Sequence, residues 1–294
     1  EIGIRSRILF NESLAAYTTL GVGGPARVLM FPQSIEDLIK IDEFARRQEL
    51  PLLVLGGGSN LLIRDKGFPG VVVCLKEGFN SIARKGDLLV VQAGARLSVA
   101  ISFALEEELG GLEPLAGIPG TVGGAVHMNA GAHQCYIGSV LEEVKLLGAD
   151  YQLKVLQKDQ LEFGYRRSNL PHGSIILEVK LKLVHRPKVK IKEEVDRILA
   201  ERKAHQPIGK KSAGCIFKNP PGESAGKLIE AVGLKGYCCG GAQVSEKHAN
   251  FIINNGQASA QDILKLIGHI KQKVWQEKGI RLEEEVVIIG EDKI

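Results

Sequence analysis

Gly117-Ile118-Pro119-Gly120-Thr121-Val122-Gly123-Gly124-Ala125 leads into Met128-Asn129-Ala130-Gly131, and it sets glycines where a backbone must either turn sharply or come close to a ligand. A second run, Gly56-Gly57-Gly58-Ser59-Asn60, follows Leu50-Pro51-Leu52-Leu53-Val54-Leu55, a short apolar stretch expected of a buried strand that delivers a turn. Backbone stripped of side chains lets amides converge on anionic oxygens, so the two loops together can present N–H groups to a diphosphate. Each alone reads equally well as a plain chain reversal. The remaining glycine patterns argue against commoner nucleotide folds. Gly21-Val22-Gly23-Gly24-Pro25-Ala26 distorts GxGxxG with a proline and follows no clear strand, which disfavours a Rossmann fold. Between Gly222 and Gly226-Lys227 there is one residue too few for a P-loop, and Leu228 stands where Ser or Thr would bind magnesium.

The chain around these loops alternates helix and strand signals. Ser34-Ile35-Glu36-Asp37 reads as a capped helix start, with Leu38, Ile41, Phe44 and Ala45 forming an apolar face up to about Gln48. Strands are expected at Val71–Val73 and Leu88–Val91, and a helix from Leu97 to Leu109 stopped by Gly110-Gly111. Leu177, Val179, Leu181 and Leu183 alternate with Glu178, Lys180 and Lys182, as in a half-exposed strand. Arg186-Pro187-Lys188-Val189-Lys190 is polar and without period, which suggests a domain boundary followed by a helix through Val195, Ile198, Leu199 and Arg202. Near the end, Ser259-Ala260-Gln261-Asp262 repeats the capping signal, and Ile263, Ile267, Ile270 and Val274 make a core stripe ending before Gly279.

With 294 residues, 44% hydrophobic and 24% charged, the chain has the composition of an ordinary globular protein of about two or three domains. A net charge of +4 and 5% aromatics do not suggest a nucleic-acid partner and suit a small anionic ligand. No run of about 18 apolar residues exists, and Glu1-Ile2-Gly3-Ile4-Arg5-Ser6-Arg7 lacks a signal-peptide apolar region, so a cytoplasmic protein without a membrane partner is expected. Cys74, Cys135, Cys215, Cys238 and Cys239 form no CxxC pair and no metal-ligand spacing, so reduced thiols and no metal are expected.

Three segments carry chemistry. Ser212-Ala213-Gly214-Cys215-Ile216-Phe217-Lys218-Asn219-Pro220 places a thiol after a glycine turn and beside a Lys-Asn pair, as in an active-site loop, although a small core cysteine is the plainer reading. Phe163-Gly164-Tyr165-Arg166-Arg167-Ser168 and Leu282-Glu283-Glu284-Glu285-Val286 complete the set. Together they resemble the three catalytic motifs of the UDP-N-acetylenolpyruvoylglucosamine reductases, flavoenzymes that make UDP-N-acetylmuramate for peptidoglycan. The resemblance spans nearly the whole chain, from Thr18-Thr19-Leu20-Gly21 through Leu112-Glu113-Pro114-Leu115 to Glu285. It implies an α+β fold: an FAD-binding part of vanillyl-alcohol-oxidase type over residues 1–190, with subdomains meeting near 68, and a C-terminal α/β substrate-binding domain over 191–294 whose end packs back on the FAD region.

The resemblance also implies roles. Non-covalent FAD would meet Gly57, Gly58, Ser59 and Asn60 at its pyrophosphate, with Pro119, Gly120, Thr121, Gly124, Asn129 and Gly131 along the cofactor, and NADPH would donate hydride. Arg166 would hold the carboxylate of UDP-N-acetylglucosamine enolpyruvate, since an always-charged guanidinium makes paired hydrogen bonds to it. Cys215 stands where the family more familiarly has a serine proton donor; a thiol with an ordinary pKa of about 8.5 stays mostly protonated at neutral pH. Glu285 precedes Val286-Val287-Ile288-Ile289, which reads as a buried strand apolar on both faces and would desolvate the carboxyl. Lys218, Asn219, Lys235 and His248 would contact substrate. Nearby Lys210, Lys211 and Lys218 work against a protonated thiol, and His205-Gln206-Pro207 departs from the expected Lys-x-Pro. The short run from Leu183 to Val195 leaves little room for the substrate-capping insertion of one family class, so the shorter class is expected, as a monomer. An oxidase of the same flavin fold is the alternative enzyme, and a catalytically silent flavin- or UDP-sugar-binding protein the alternative from another class.

Overall fold

The computed structural model describes residues 3–4, 6–132 and 135–291; Glu1, Ile2 and Arg5 of the N-terminal stretch lie outside the described residues. The chain divides into two compact units, the first made of Glu1–Ile8, Leu29–Gly57 and Val72–Glu201, the second of Leu9–Val28, Gly58–Val71 and Arg202–Ile294. A division at 190/191, as the polar Arg186–Lys190 stretch suggests, differs from this one. Lys188 already begins a helix that runs to His205, and the units part within it, after Glu201. Pro187 is compatible with that start, because a helix tolerates proline where an N–H has no helical partner.

In the first unit, an antiparallel sheet runs in the order Leu153–Gln157, Leu141–Leu147, Ile175–Lys182, Leu88–Gln92, Ile82–Lys85. The alternation in the sequence is realised in its middle strand, where Leu177, Val179 and Leu181 are buried while Glu178 and Lys180 stay partly exposed. A short helix, Val122–His127, packs on that strand. Gly123 permits the approach: a Cβ there would lie 2.7 Å from the Ala93 Cβ. The helix expected to reach Leu109 ends at Glu106. Glu108 adopts the left-handed φ of 56° that was expected of glycine, and Leu109–Gly110 pairs with Val184–His185, so a strand partner satisfies the backbone that a longer helix would have used. The helix Ile35–Arg47 forms as its signals require, with the Ser34 side chain accepting from the Asp37 N–H.

The second unit has an antiparallel sheet in the order Lys211–Cys215, Phe251–Asn254, Ala242–Val244, Cys238–Cys239. Helices Ala225–Ala231 and Ala260–Lys278 complete a core that gathers Leu20, Val22, Leu62, Ile216, Phe217, Ile252, Ile263, Ile267, Ile270 and Val274. The longer helix is capped twice at its start: Ser259 and Asp262 form a reciprocal box, and the Asp65 carboxylate accepts from the N–H groups of Ala260 at 2.7 Å and Gln261 at 2.9 Å. Gly279 at φ 67° ends it. The C-terminal strand Val287–Ile289 runs parallel to Leu61–Ile63 as a two-stranded pair. It is not the fully buried strand expected from its composition: Val287 is 42% exposed and Ile288 and Ile289 are only partly buried, so its side chains are not packed over on both faces.

Candidate active site

Phe163–Gly164 pairs with Arg167–Ser168, which leaves Tyr165 and Arg166 at the turn of a minimal hairpin. Arg166 has φ 58°, a left-handed conformation that costs a non-glycine residue about 1–2 kcal/mol. Its guanidinium is partly buried, donates from Nη1 to the Gly131 carbonyl at 3.4 Å and has its Cζ 5.2 Å from the Tyr165 ring centre. Asn129 is buried in the same unit, with Nδ2 donating to the Gly164 carbonyl at 3.0 Å and Oδ1 accepting from the Gly138 N–H at 3.2 Å.

The two glycine loops meet in the first unit. A Cβ on Gly57 would lie 2.4 Å from the Gly120 Cα, and one on Gly56 would lie 2.6 Å from Thr121 Oγ1, so only glycine lets these backbones touch. Several amides of the second loop are already engaged: Val122 N–H donates to Ala95 O and Gly123 N–H to Ala93 O, both at 2.9 Å, while Thr121 Oγ1 accepts from Gly124 N–H at 3.4 Å. Those three are therefore internal bonds rather than the diphosphate contacts that glycine content alone suggests. Gly124 faces open space, since a Cβ there would meet only Thr121 Oγ1, at 3.5 Å. Joined glycine backbones beside such a space fit a flat, diphosphate-linked cofactor such as FAD. In the second unit, Gly58 at φ 63° packs where a Cβ would strike the Tyr17 carbonyl at 2.0 Å, and Ser59 and Asn60 follow it.

Cys215 ends a strand rather than sitting in a loop. Ser212 pairs with Ile253 and Cys215 with Phe251, so the cysteine strand carries one extra residue, and Gly214 takes φ 75° inside that bulge. Ile216 and Phe217, buried next to it, anchor the strand end while the cysteine stays half-buried. Glu285 lies across from Ile216, the next residue along. The N–H groups of Glu285 and Val286 both donate to the Ile216 carbonyl, at 2.8 and 3.3 Å, which is the bond pattern of a second bulge. Asn60 fastens the other side of Glu285, donating from Nδ2 to its carbonyl at 3.1 Å and accepting from Val287 N–H at 2.9 Å. Glu285 is thus tied within one unit to Asn60 and to Ile216, the residue that follows Cys215.

The remaining candidates carry local partners. Lys218 ion-pairs with Glu283 at 2.5 Å, so part of the cationic field beside the cysteine is neutralised. Asn219 Oδ1 accepts from Ala225 N–H at 3.0 Å, and Lys235 Nζ lies 2.7 Å from Glu230 Oε1. His248 Nδ1 accepts from Asn250 N–H at 3.3 Å, which places the proton of the neutral ring on Nε2. Burial, followed by nearby Lys235, holds its pKa below the ordinary histidine value despite its own backbone hydrogen bond and Glu230.

Residues 206–289 match the family described as UDP-N-acetylenolpyruvoylglucosamine reductase, C-terminal domain, and residues 26–154 match the FAD binding domain. The UDP-N-acetylenolpyruvoylglucosamine reductase of Moorella thermoacetica is 43% identical over 99% of this chain and 96% of its own length, and that of Listeria innocua 44% over 97% and 96%. The chain belongs to the UDP-N-acetylenolpyruvoylglucosamine reductase family. Among solved structures, the family enzyme from Thermus caldophilus aligns with a TM-score of 0.83 at 43% identity, covering 97% of this chain and 99% of its own. 6-Hydroxy-D-nicotine oxidase from Arthrobacter nicotinovorans shares only the fold, with a TM-score of 0.51 at 16% identity over 91% of this chain and 60% of its own. The expected α+β, vanillyl-alcohol-oxidase type of fold is the one found.

One residue of this reductase family site escaped the sequence reading. Asn250 is buried and clamps Phe217 from both sides, accepting from its N–H at 3.0 Å and donating to its carbonyl at 2.8 Å, while the Asn250 carbonyl accepts from Ile216 N–H at 2.8 Å. It fixes the segment between the cysteine and Lys218. The available signal was a polar residue just before the apolar run Phe251-Ile252-Ile253, where an amide is kept only if both its ends are bonded.

Proposed function

We propose that this chain catalyses the FAD-dependent, NADPH-using reduction of UDP-N-acetylglucosamine enolpyruvate to UDP-N-acetylmuramate, a peptidoglycan precursor. The near-full-length likeness to reductases of that name carries the reading, and the Phe-x-Tyr-Arg-x-Ser motif, Cys215 and Glu285 support it. When bound, FAD would supply hydride transfer from NADPH to the enolpyruvyl methylene carbon. Gly57, Gly58, Ser59 and Asn60 would hold its pyrophosphate, and Pro119, Gly120, Thr121, Gly124, Gly131 and the backbone of Asn129 would line it, since the Asn129 carboxamide is engaged by Gly164 and Gly138. Arg166 binds the substrate carboxylate, on which negative charge builds as hydride adds, and Glu285 serves as an acid toward that charge. The Cys215 thiol delivers a proton to the adjacent carbon. Lys218, Asn219, Lys235 and His248 orient the sugar nucleotide. In this reading residues 1–190 form the FAD-binding region, which also supplies Arg166 to the substrate, and 191–294 form the substrate-binding domain.

We further infer a cytoplasmic monomer of the shorter class, without nucleic-acid or membrane partners, contributing through cell-wall synthesis to cell shape and division. Among the described residues no helix is long and apolar enough to cross a membrane. The test is a pair of half-reactions followed by stopped flow. Arg166→Ala is expected to leave flavin reduction by NADPH near wild type and to slow reoxidation by the enolpyruvyl substrate on the order of 10²-fold, about 3 kcal/mol. Equal slowing of both halves would mean that Arg166 supports the structure or the flavin instead.

A further inference from the structure

The turn that carries Arg166 is gripped by one short segment of the first unit, residues 127–131. Ser168 Oγ donates to the His127 carbonyl at 2.9 Å, Asn129 Nδ2 to the Gly164 carbonyl at 3.0 Å, and Arg166 Nη1 to the Gly131 carbonyl at 3.4 Å. Asn129 is the centre of this grip. It is 4% exposed and has φ 42°, a backbone state that asparagine tolerates better than most residues. Its carboxamide is fixed at the far end as well, through Oδ1 and the Gly138 N–H at 3.2 Å. A Cβ on Gly138 would lie 2.9 Å from both Asn129 Oδ1 and Phe163 Cγ, so the glycine leaves just enough room for the amide and the first ring of the hairpin.

The hairpin needs such support. It has two residue pairs, Phe163 with Ser168 and Gly164 with Arg167, and a ribbon that small does not hold a conformation in water by itself. Arg166 is also left-handed, a state that persists where surrounding bonds over-determine it. Gly164, whose carbonyl Asn129 holds, is two residues before the arginine, and fixing that peptide plane limits how the turn can relax.

We propose that Asn129 is a positioning residue for substrate: by holding the Gly164 carbonyl it locks the left-handed turn so that the Arg166 guanidinium meets the carboxylate in one orientation. The proposal rests on the role given to Arg166 above. The Asn129 carboxamide acts through that turn, with its oxygen and one N–H already committed to Gly138 and Gly164.

The experiment is a double-mutant cycle with Asn129→Asp, which keeps shape and the Gly138 acceptor but removes the donor to Gly164. It is made in the wild-type and Arg166→Ala backgrounds. Four quantities are measured: FAD per chain with melting temperature, flavin reduction by NADPH, reoxidation by the enolpyruvyl sugar nucleotide, and calorimetric affinity of the oxidised holoenzyme for that nucleotide. The expected result is retained FAD and NADPH reduction, reoxidation slowed about 10-fold with weaker substrate affinity, and neither loss in the Arg166→Ala background. Lost FAD or slowed NADPH reduction would overturn the proposal in favour of a cofactor role, and an equal loss in both backgrounds would overturn it in favour of action independent of Arg166. If Arg166→Ala itself leaves reoxidation and affinity intact, the role of Arg166 falls; if Arg166→Ala slows reoxidation and Asn129→Asp does not, only the positioning falls. Should Asn129→Asp fail to fold, Ser168→Ala removes the His127 bond of the same grip. A few-fold loss confined to reoxidation and affinity then supports the proposal, and an unchanged enzyme overturns it.

Discussion

Glu285 donates its backbone N–H to the carbonyl of Ile216 at 2.8 Å, and Val286 reaches the same oxygen at 3.3 Å. Two successive residues therefore oppose one, and the carboxylate is aimed by a bulge rather than by the alternation of a regular strand. The bonds around Glu285 that set this aim, including the one from Asn60 Nδ2 to its carbonyl, are backbone-directed and do not depend on the carboxylate.

Glu285→Gln should accordingly leave the bulge in place. The melting midpoint is expected to correspond to a change within about 0.5 kcal/mol, as for a substitution that creates no cavity and buries no charge. Substrate reduction is expected to fall on the order of 10²-fold, with flavin reduction by NADPH little changed. Thermal melts beside the two half-reactions check this; a large drop in melting temperature would mean that the carboxylate holds the fold.

Gly57→Ala tests whether the joined glycine loops form the cofactor cradle. The new Cβ would lie 2.4 Å from the Gly120 Cα, backbone against backbone, so neither side can yield by a rotamer change. A strain cost of about 1–3 kcal/mol and a clear loss of bound FAD are expected, read from absorbance per chain after purification. Gly268→Ala is the control. Gly268 lies on an exposed position of the helix Ala260–Lys278 with nothing within 4 Å of its Cβ site, and alanine there should stabilise by about 0.5–1 kcal/mol without altering FAD content. Full FAD occupancy in Gly57→Ala would separate the loop contact from cofactor binding.

Much of this fold was legible because its signals are local. Ser34 and Ser259 announce helix starts through an oxygen three residues ahead of an N–H, and the Leu177–Leu181 alternation follows from a strand with one covered face. The candidate catalytic residues were legible through motif resemblance and not through periodicity, for a physical reason. Arg166 stands in a left-handed turn, Cys215 follows Gly214 in one bulge, and Glu285 begins another; each breaks the repeat on which pattern reading depends. What stayed hidden was long-range pairing. Nothing near Glu108 signals that Leu109–Gly110 will leave the helix to pair with Val184–His185, and Val286–Ile289 reveals its apolar content but not how many strands will flank it.

Acid should destabilise the protein in part through His248. Burial lowers its pKa in the folded chain relative to the unfolded value of about 6.5, and Nδ1 accepts the Asn250 N–H only while unprotonated. The unfolded chain therefore binds the proton more readily, so this contribution is fully present above the unfolded pKa and is lost as pH falls through the lower, folded one. His248→Asn keeps an acceptor near the Nδ1 position and cannot titrate in this range. Melting temperatures from about pH 7.5 down to about pH 5, a window spanning the ordinary histidine pKa, are expected to fall less steeply for the variant; parallel curves would show that His248 does not couple to stability.

Cys215 gives the test with the clearest separation of chemistry from packing. Its backbone position is set by the pairing with Phe251 and by the bulge at Gly214, and its side chain is half-buried, so truncation removes the thiol with little change in packing. Positioned proton transfer is worth ~10²–10⁴-fold, which makes Cys215→Ala a loss of roughly 3–5 kcal/mol in the transition state. Cys215→Ser supplies a hydroxyl at the same place and is expected to keep much of the activity. The measurements are flavin reoxidation by the enolpyruvyl substrate, FAD content and melting temperature for wild type and both variants. Cys215→Ala should be folded, yellow and reducible by NADPH, yet fail to reoxidise at a useful rate when substrate is added. If it instead turns over repeatedly near the wild-type rate, the proton comes from water or another side chain, and the thiol is a packing residue at a bulge.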